Sequence, residues 1–146
     1  MKKRLLSAVF FLVFYCTVSG QVWSPKAVGV LPANYGIDDI CIVNEQVIWA
    51  TANSGSTPVP AGYVSKLLRS TDGGETWTAT DIEEAMGRFC WDIYAFDANT
   101  ACVATTNRGS GNKQGIFRTT DGGATWTEVF NHAAGGTWLH FFDGQE

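Results

Sequence analysis

The sequence predicts an all-β fold built from a repeated four-stranded antiparallel unit, and three observations carry that expectation. One eight-residue phrase occurs twice, as Ser70-Thr71-Asp72-Gly73-Gly74-Glu75-Thr76-Trp77 and as Thr119-Thr120-Asp121-Gly122-Gly123-Ala124-Thr125-Trp126. Self-similarity at a fixed period is the mark of a repeat architecture. Around each phrase lie four short runs rich in β-branched and aromatic residues, punctuated by Gly, Asn, Asp and Pro. No segment of adequate length carries apolar residues at helical spacing, which argues against a helix-pair repeat of similar period.

In the first copy the strand-like runs cover residues 40–43, 47–52, 63–70 and 76–81; in the second they cover 91–96, 100–106, 115–119 and 125–130. Four antiparallel strands per repeat of roughly 40–50 residues is the unit of a β-propeller blade. Residues 39–44 lie over 92–97 and residues 47–56 over 101–110, so the offset moves from 53 to 54 and then to 49 at the phrase. That alignment implies one short turn differing by a residue and a loop at 57–62 that is five residues longer in the first copy. A turn at 97–99 would set Cys102 opposite a residue near Tyr94. Between the copies, Asp81 three positions before Glu84 suggests a capped short helix ended by Gly87, with its acidic cluster in solvent. Residues 137–143 echo 90–97 with one residue fewer, as the first strand of a third copy. The expected organisation is a leader at 1–20, an N-terminal segment at 21–36, a blade at 37–82, a linker at 83–89, a second blade at 90–131 and the start of a third at 132–146. Two complete blades are fewer than the roughly four to eight that close a propeller, so the expectation is a piece of a longer protein or an assembly of copies.

Lys2-Lys3-Arg4 followed by an apolar run at residues 5–18 reads as a secretory signal peptide cut near Gly20-Gln21. The run is shorter than the about 20 residues a membrane-spanning helix needs. Loss of three of the ten cations leaves seven against fourteen carboxylates, a net charge of −7. An acidic exported chain is a poor partner for nucleic acid. The expected location is secreted, periplasmic or cell-surface, without stable membrane insertion after cleavage. Three cysteines remain, Cys41, Cys90 and Cys102, and their odd number precludes full intrachain pairing. All fall in or at the start of predicted strands, as small buried hydrophobes.

The phrase lies between the third and fourth strands and has the chemistry of a tight hairpin. Asp72 and Asp121 are placed to accept backbone N–H bonds, and the Gly pairs allow positive φ. Ser70 and Thr119 add a hydroxyl, Thr76 and Thr125 resume the strand, and Trp77 and Trp126 clamp the turn with an N–H to satisfy. A calcium loop would need six to eight oxygens, whereas one carboxylate recurs per copy. The phrase resembles the Asp-box, or bacterial neuraminidase repeat, Ser/Thr-x-Asp-x-Gly-x-Thr-Trp, at every defined position: Ser70, Asp72, Gly74, Thr76 and Trp77, then Thr119, Asp121, Gly123, Thr125 and Trp126. The resemblance covers almost all the chain from about residue 37. It implies a β-propeller of the kind found in sialidases, xyloglucan-degrading glycosidases, sortilin-type receptors and photosystem II assembly-factor-like proteins. It also implies that these turns sit on the outer part, away from the ligand-binding face.

One scaffold hosts many activities. The Arg-Ile-Pro segment of sialidases is absent, and Arg69 and Arg118 occupy repeat-equivalent places. The expected role is a structural or extracellular binding scaffold for polysaccharide or protein, completed by further blades or by self-association. The alternative is the N-terminal part of a glycoside hydrolase, for which Asp39 and Asp92, at the start of successive innermost strands, are the candidate carboxylates. The plainer reading is that each caps a strand or meets a neighbouring backbone donor. Trp23, Trp49, Trp91 and Trp138 could stack on sugar rings or fill core. His132 and His140 stand neither at i, i+4 spacing from each other nor near a Cys in sequence, and read as loop or strand residues. No cofactor or metal is expected.

Overall fold

The computed structural model describes residues 25–55, 64–107, 114–132 and 138–141. The leader, Trp23 and Cys16 fall outside the described residues. The described residues form two four-stranded antiparallel sheets, each a simple meander. The first contains β1 (Tyr35–Ile42), β2 (Ile48–Ser54), β3 (Lys66–Ser70) and β4 (Thr78–Asp81); the second contains β5 (Arg88–Ala95), β6 (Ala101–Asn107), β7 (Gln114–Thr119) and β8 (Thr127–His132). Among the described residues no helix is long and apolar enough to cross a membrane.

The first turns of the two sheets match bond for bond. Asn44 Oδ1 accepts the amides of Gln46 and Val47, and Asp97 Oδ1 accepts those of Asn99 and Thr100. Gly73 N–H donates to Gln46 O and Gly122 N–H to Asn99 O, each at 2.9 Å, so the phrase folds back on the first turn of its own sheet. Cys41 pairs with Trp49 as Tyr94 pairs with Cys102. The expected Tyr94–Cys102 neighbourhood is therefore present, but the alignment of the second strands needs correction. The offset stays at 53 through β2 and β6, so Trp49 corresponds to Cys102. The two first turns have equal length, and the loop after β2 differs by four residues rather than five. The Ala-Thr alternation of both strands reads almost equally well in either register.

Two further expectations are revised. Asp81 ends β4 and pairs with Lys66, and the segment after it is a single 3₁₀ turn at Glu83–Ala85 without a side-chain cap. Glu84 is also not purely solvated: its Oε1 accepts Trp126 N–H from the second sheet at 3.3 Å. Thr76 and Thr125 do not resume the strand, which restarts at Thr78 and Thr127.

The sheets pack face to face. Trp49, Leu67, Ile82 and Ala85 from the first side meet Cys90, Ile93, Ala95, Val103, Phe117 and Trp126 from the second, all buried. Burying these apolar groups contributes roughly 25 cal/mol per Å² removed from water. Polar bonds fix the register across this layer. Trp49 Nε1 donates to Asp97 O at 3.0 Å, Asn53 Nδ2 donates to Cys90 O at 2.7 Å, and Ser65 Oγ accepts Cys90 N–H at 3.1 Å. On its other face the first sheet packs Ala50, Ala52 and Leu68 against Val30, Leu31, Tyr35 and Trp77. Lys26 and Glu75, 2.6 Å apart, tie the N-terminal segment to the phrase.

Candidate functional site

The repeated phrase builds two nearly identical cages. Thr76 donates its amide to Asp72 Oδ1 at 2.9 Å and its hydroxyl to Oδ2 at 2.5 Å, and Ser70 Oγ donates to Oδ1 at 2.8 Å. Ser70 Oγ in turn accepts Gly74 N–H at 2.8 Å. In the second sheet Thr125, Thr119 and Gly123 repeat these bonds around Asp121 within 0.2 Å of the same lengths. The Thr76 and Thr125 side-chain donors, with their amides and the Ser70 or Thr119 hydroxyl, lower the pKa of each carboxyl from 3.8 to about 2. Gly74 and Gly123 have φ of 88° and 89°, the region glycine enters without strain. Trp77 Nε1 reaches Gly74 O at 2.9 Å, whereas the buried Trp126 Nε1 has no partner among the described residues. Each carboxylate is thus engaged by donors of its own turn.

The candidate carboxylates Asp39 and Asp92 each reach forward to the next inner strand. Asp39 Oδ2 accepts Ile93 N–H at 2.9 Å, and Asp92 Oδ2 accepts Leu139 N–H at 2.7 Å. Since Ile93 and Leu139 are repeat equivalents, the same clamp passes from the first sheet to the second and from the second to residues 138–141. The structure also brings the pair together: burial first, then the neighbouring Asp39 carboxyl, raises the Asp92 pKa. Phe141 packs at 4.7 Å from Tyr94 and 5.0 Å from Phe96, continuing the layer.

At the end of the sheets opposite the phrase lies a cleft of about 360 Å³, lined by residues 33–38, 53–55, Phe89 and Trp91. Its geometry comes from two matching β-bulges. The ladder slips between Ile37 and Asp39 in β1 and between Cys90 and Asp92 in β5. The extra residues are Asp38 and Trp91, 53 positions apart, and both line the cleft. Bulges re-aim side chains and gather next to functional sites. Asn53 Nδ2 donates to Asp38 Oδ2 at 2.6 Å, Asn34 Nδ2 donates to Ser54 Oγ at 2.9 Å, and Asn34 O accepts Gly55 N–H. The Trp91 indole is 45% exposed.

Of the tryptophans considered for stacking, Trp49 is wholly buried and belongs to the core, Trp138 is 82% exposed away from the cleft lining, and Trp91 lies in it. Asp38, Asn34 and Asn53 were not singled out by sequence; the adjacent Asp39, which recurs in the repeat, drew attention instead. His132 ends β8 with its ring beside Phe130, and His140 lies in the 138–141 segment. Cys41, Cys90 and Cys102 are free thiols; burial pushes the Cys90 thiol up to about 12, away from nucleophilic chemistry at neutral pH. Among the described residues no cluster of three or more His, Cys, Asp or Glu side chains is arranged to hold a metal ion. Comparison of the chain with family models, with curated proteins and with solved structures finds no match.

Proposed function

We propose that the chain is an exported Asp-box β-propeller segment that acts as an extracellular binding scaffold. The observation that carries this reading is the repeating clamp, Asp39 to Ile93 and Asp92 to Leu139, which links one four-stranded sheet to the next in a fixed geometry. Neighbour-to-neighbour packing of equivalent units is how repeat proteins build extended surfaces. The engagement of Asp72 and Asp121 by their own turns supports a scaffold role for the phrase. The Lys2-Lys3-Arg4 leader supports export. Expression of the full chain in a Gram-negative host tests it: the mature product outside the cytoplasm should begin at Gln21. Retention in the cytoplasm with Met1 intact would contradict it.

A glycoside hydrolase is the second reading, favoured by one observation, the Asp92 carboxyl raised first by burial and then by the neighbouring Asp39 carboxyl. A carboxyl raised by burial and held beside a second one can stay protonated as a general acid. On this reading Asp92→Asn abolishes glycan hydrolysis; on the scaffold reading the wild-type chain releases no reducing sugar.

A further inference from the structure

We propose that the cleft between the two bulges is a saccharide subsite, taking a neutral pyranoside whose flat C–H face lies on Trp91 and whose edge hydroxyls bond Asp38 and Asn34. This names a ligand class for the scaffold reading above and rests on it. Four features lead here. The extra residue of each innermost-strand bulge, Asp38 in β1 and Trp91 in β5, lines the same cleft, so these two repeat-equivalent irregularities meet in one place. The lining combines an exposed indole with a carboxylate and two carboxamides, an apolar platform beside polar groups that fix orientation. A carboxylate has about four lone-pair sites, so the Asn53 bond leaves Asp38 capacity for hydroxyl donors. The cleft volume falls within the about 300–1,000 Å³ of small-molecule sites.

Charge selects among saccharides. Among the described residues the lining contains Asp38 and no Lys, Arg or His. An acidic sugar would bring its carboxylate towards another without a cation to offset either, and like charges disfavour that approach. A pyranoside with equatorial hydroxyls suits this lining: its apolar C–H face matches the indole, and its in-plane hydroxyls match the polar groups that share the cleft.

Titration of the full chain with cellohexaose, followed by calorimetry and tryptophan fluorescence, tests the assignment, with 3′-sialyllactose as the charged comparison. Cellohexaose should bind and shift the fluorescence, and 3′-sialyllactose should not. Trp91→Ala should weaken binding about tenfold, the loss expected when an interaction of about 1.4 kcal/mol is removed. Trp91→Phe should recover part of it, Asp38→Ala should weaken it, and Trp138→Ala should leave it unchanged. Absence of cellohexaose binding, wild-type affinity in both Trp91 variants, or equal binding of 3′-sialyllactose would overturn the proposal. Export with cleavage at Gln21 is read separately, so failure of the subsite and failure of the scaffold reading are distinguishable.

Discussion

Asp72 and Asp121 show how a carboxylate can hold a turn through its charge. Both have folded-state pKa values near 2 against an ordinary 3.8. The folded state therefore releases these protons more readily than the unfolded chain, and the stabilisation is complete above pH 3.8. It is lost as pH falls through about 2. Thermal melts between pH 5 and 2 should show midpoints falling across that window, and Asp72→Ala should lower the neutral midpoint and flatten the acid slope. Asp72→Asn, which keeps one acceptor for Thr76, should lie between the two. Asp92 has the opposite sign: its raised pKa makes the folded state bind protons more tightly, so its contribution weakens as pH rises from 3.8. Asp92→Asn keeps an acceptor for Leu139 N–H, and its neutral midpoint should equal or exceed that of the wild type. Glycines separate strain from crowding. Gly87 has φ 78° with nothing near an added Cβ, so Gly87→Ala should cost about 1–2 kcal/mol of left-handed strain. Gly123 has φ 89° and its Cβ would press on Leu67, so Gly123→Ala should cost about 1–3 kcal/mol more, measured by urea unfolding.

Within each sheet, the phrase carried most of what sequence could reveal. Its hydroxyl, carboxylate and glycine pattern specified the turn, and the four strand-like runs around it became four strands. Strand beginnings were less legible. β1 starts at Tyr35 and β5 at Arg88, earlier than the apolar runs, because Gly36, Asp38 and Asp39 or Arg88 and Asp92 break the alternation that identifies a half-buried strand. The same breaks are the bulges. An inserted residue shifts which face its neighbours occupy, and nothing in Asp38-Asp39 alone says which carboxylate enters the ladder's clamp and which is turned into the cleft. Cross-sheet bonds were illegible for a similar reason: Asn53, Ser65 and Cys90 meet only after the sheets stack. Trp49 tests this layer. It is fully buried and donates to Asp97 O, so Trp49→Ala should destabilise the chain by about 3–5 kcal/mol. A loss below about 1 kcal/mol in urea unfolding would mean that the sheets do not depend on this contact.

For the molecule as a whole, the face of the first sheet turned away from the second carries Ile37, Ile40 and Ile42, 48%, 55% and 71% exposed. An apolar face of this kind favours association. Sedimentation velocity should show concentration-dependent association, reduced by Ile40→Lys with Ile42→Lys; a wild-type chain that is monomeric at every concentration would contradict this. Labour is divided between the two ends of the sheets: the phrase holds turns at one, and the bulges carry the proposed saccharide subsite at the other. Hydrogen exchange of the full chain with and without saturating cellohexaose tests it directly. Protection should appear in residues 36–38, 53–55 and 89–91, with no change in 70–77 or 119–126. Protection centred on the two Asp-containing turns, or none at the bulges, would contradict the account.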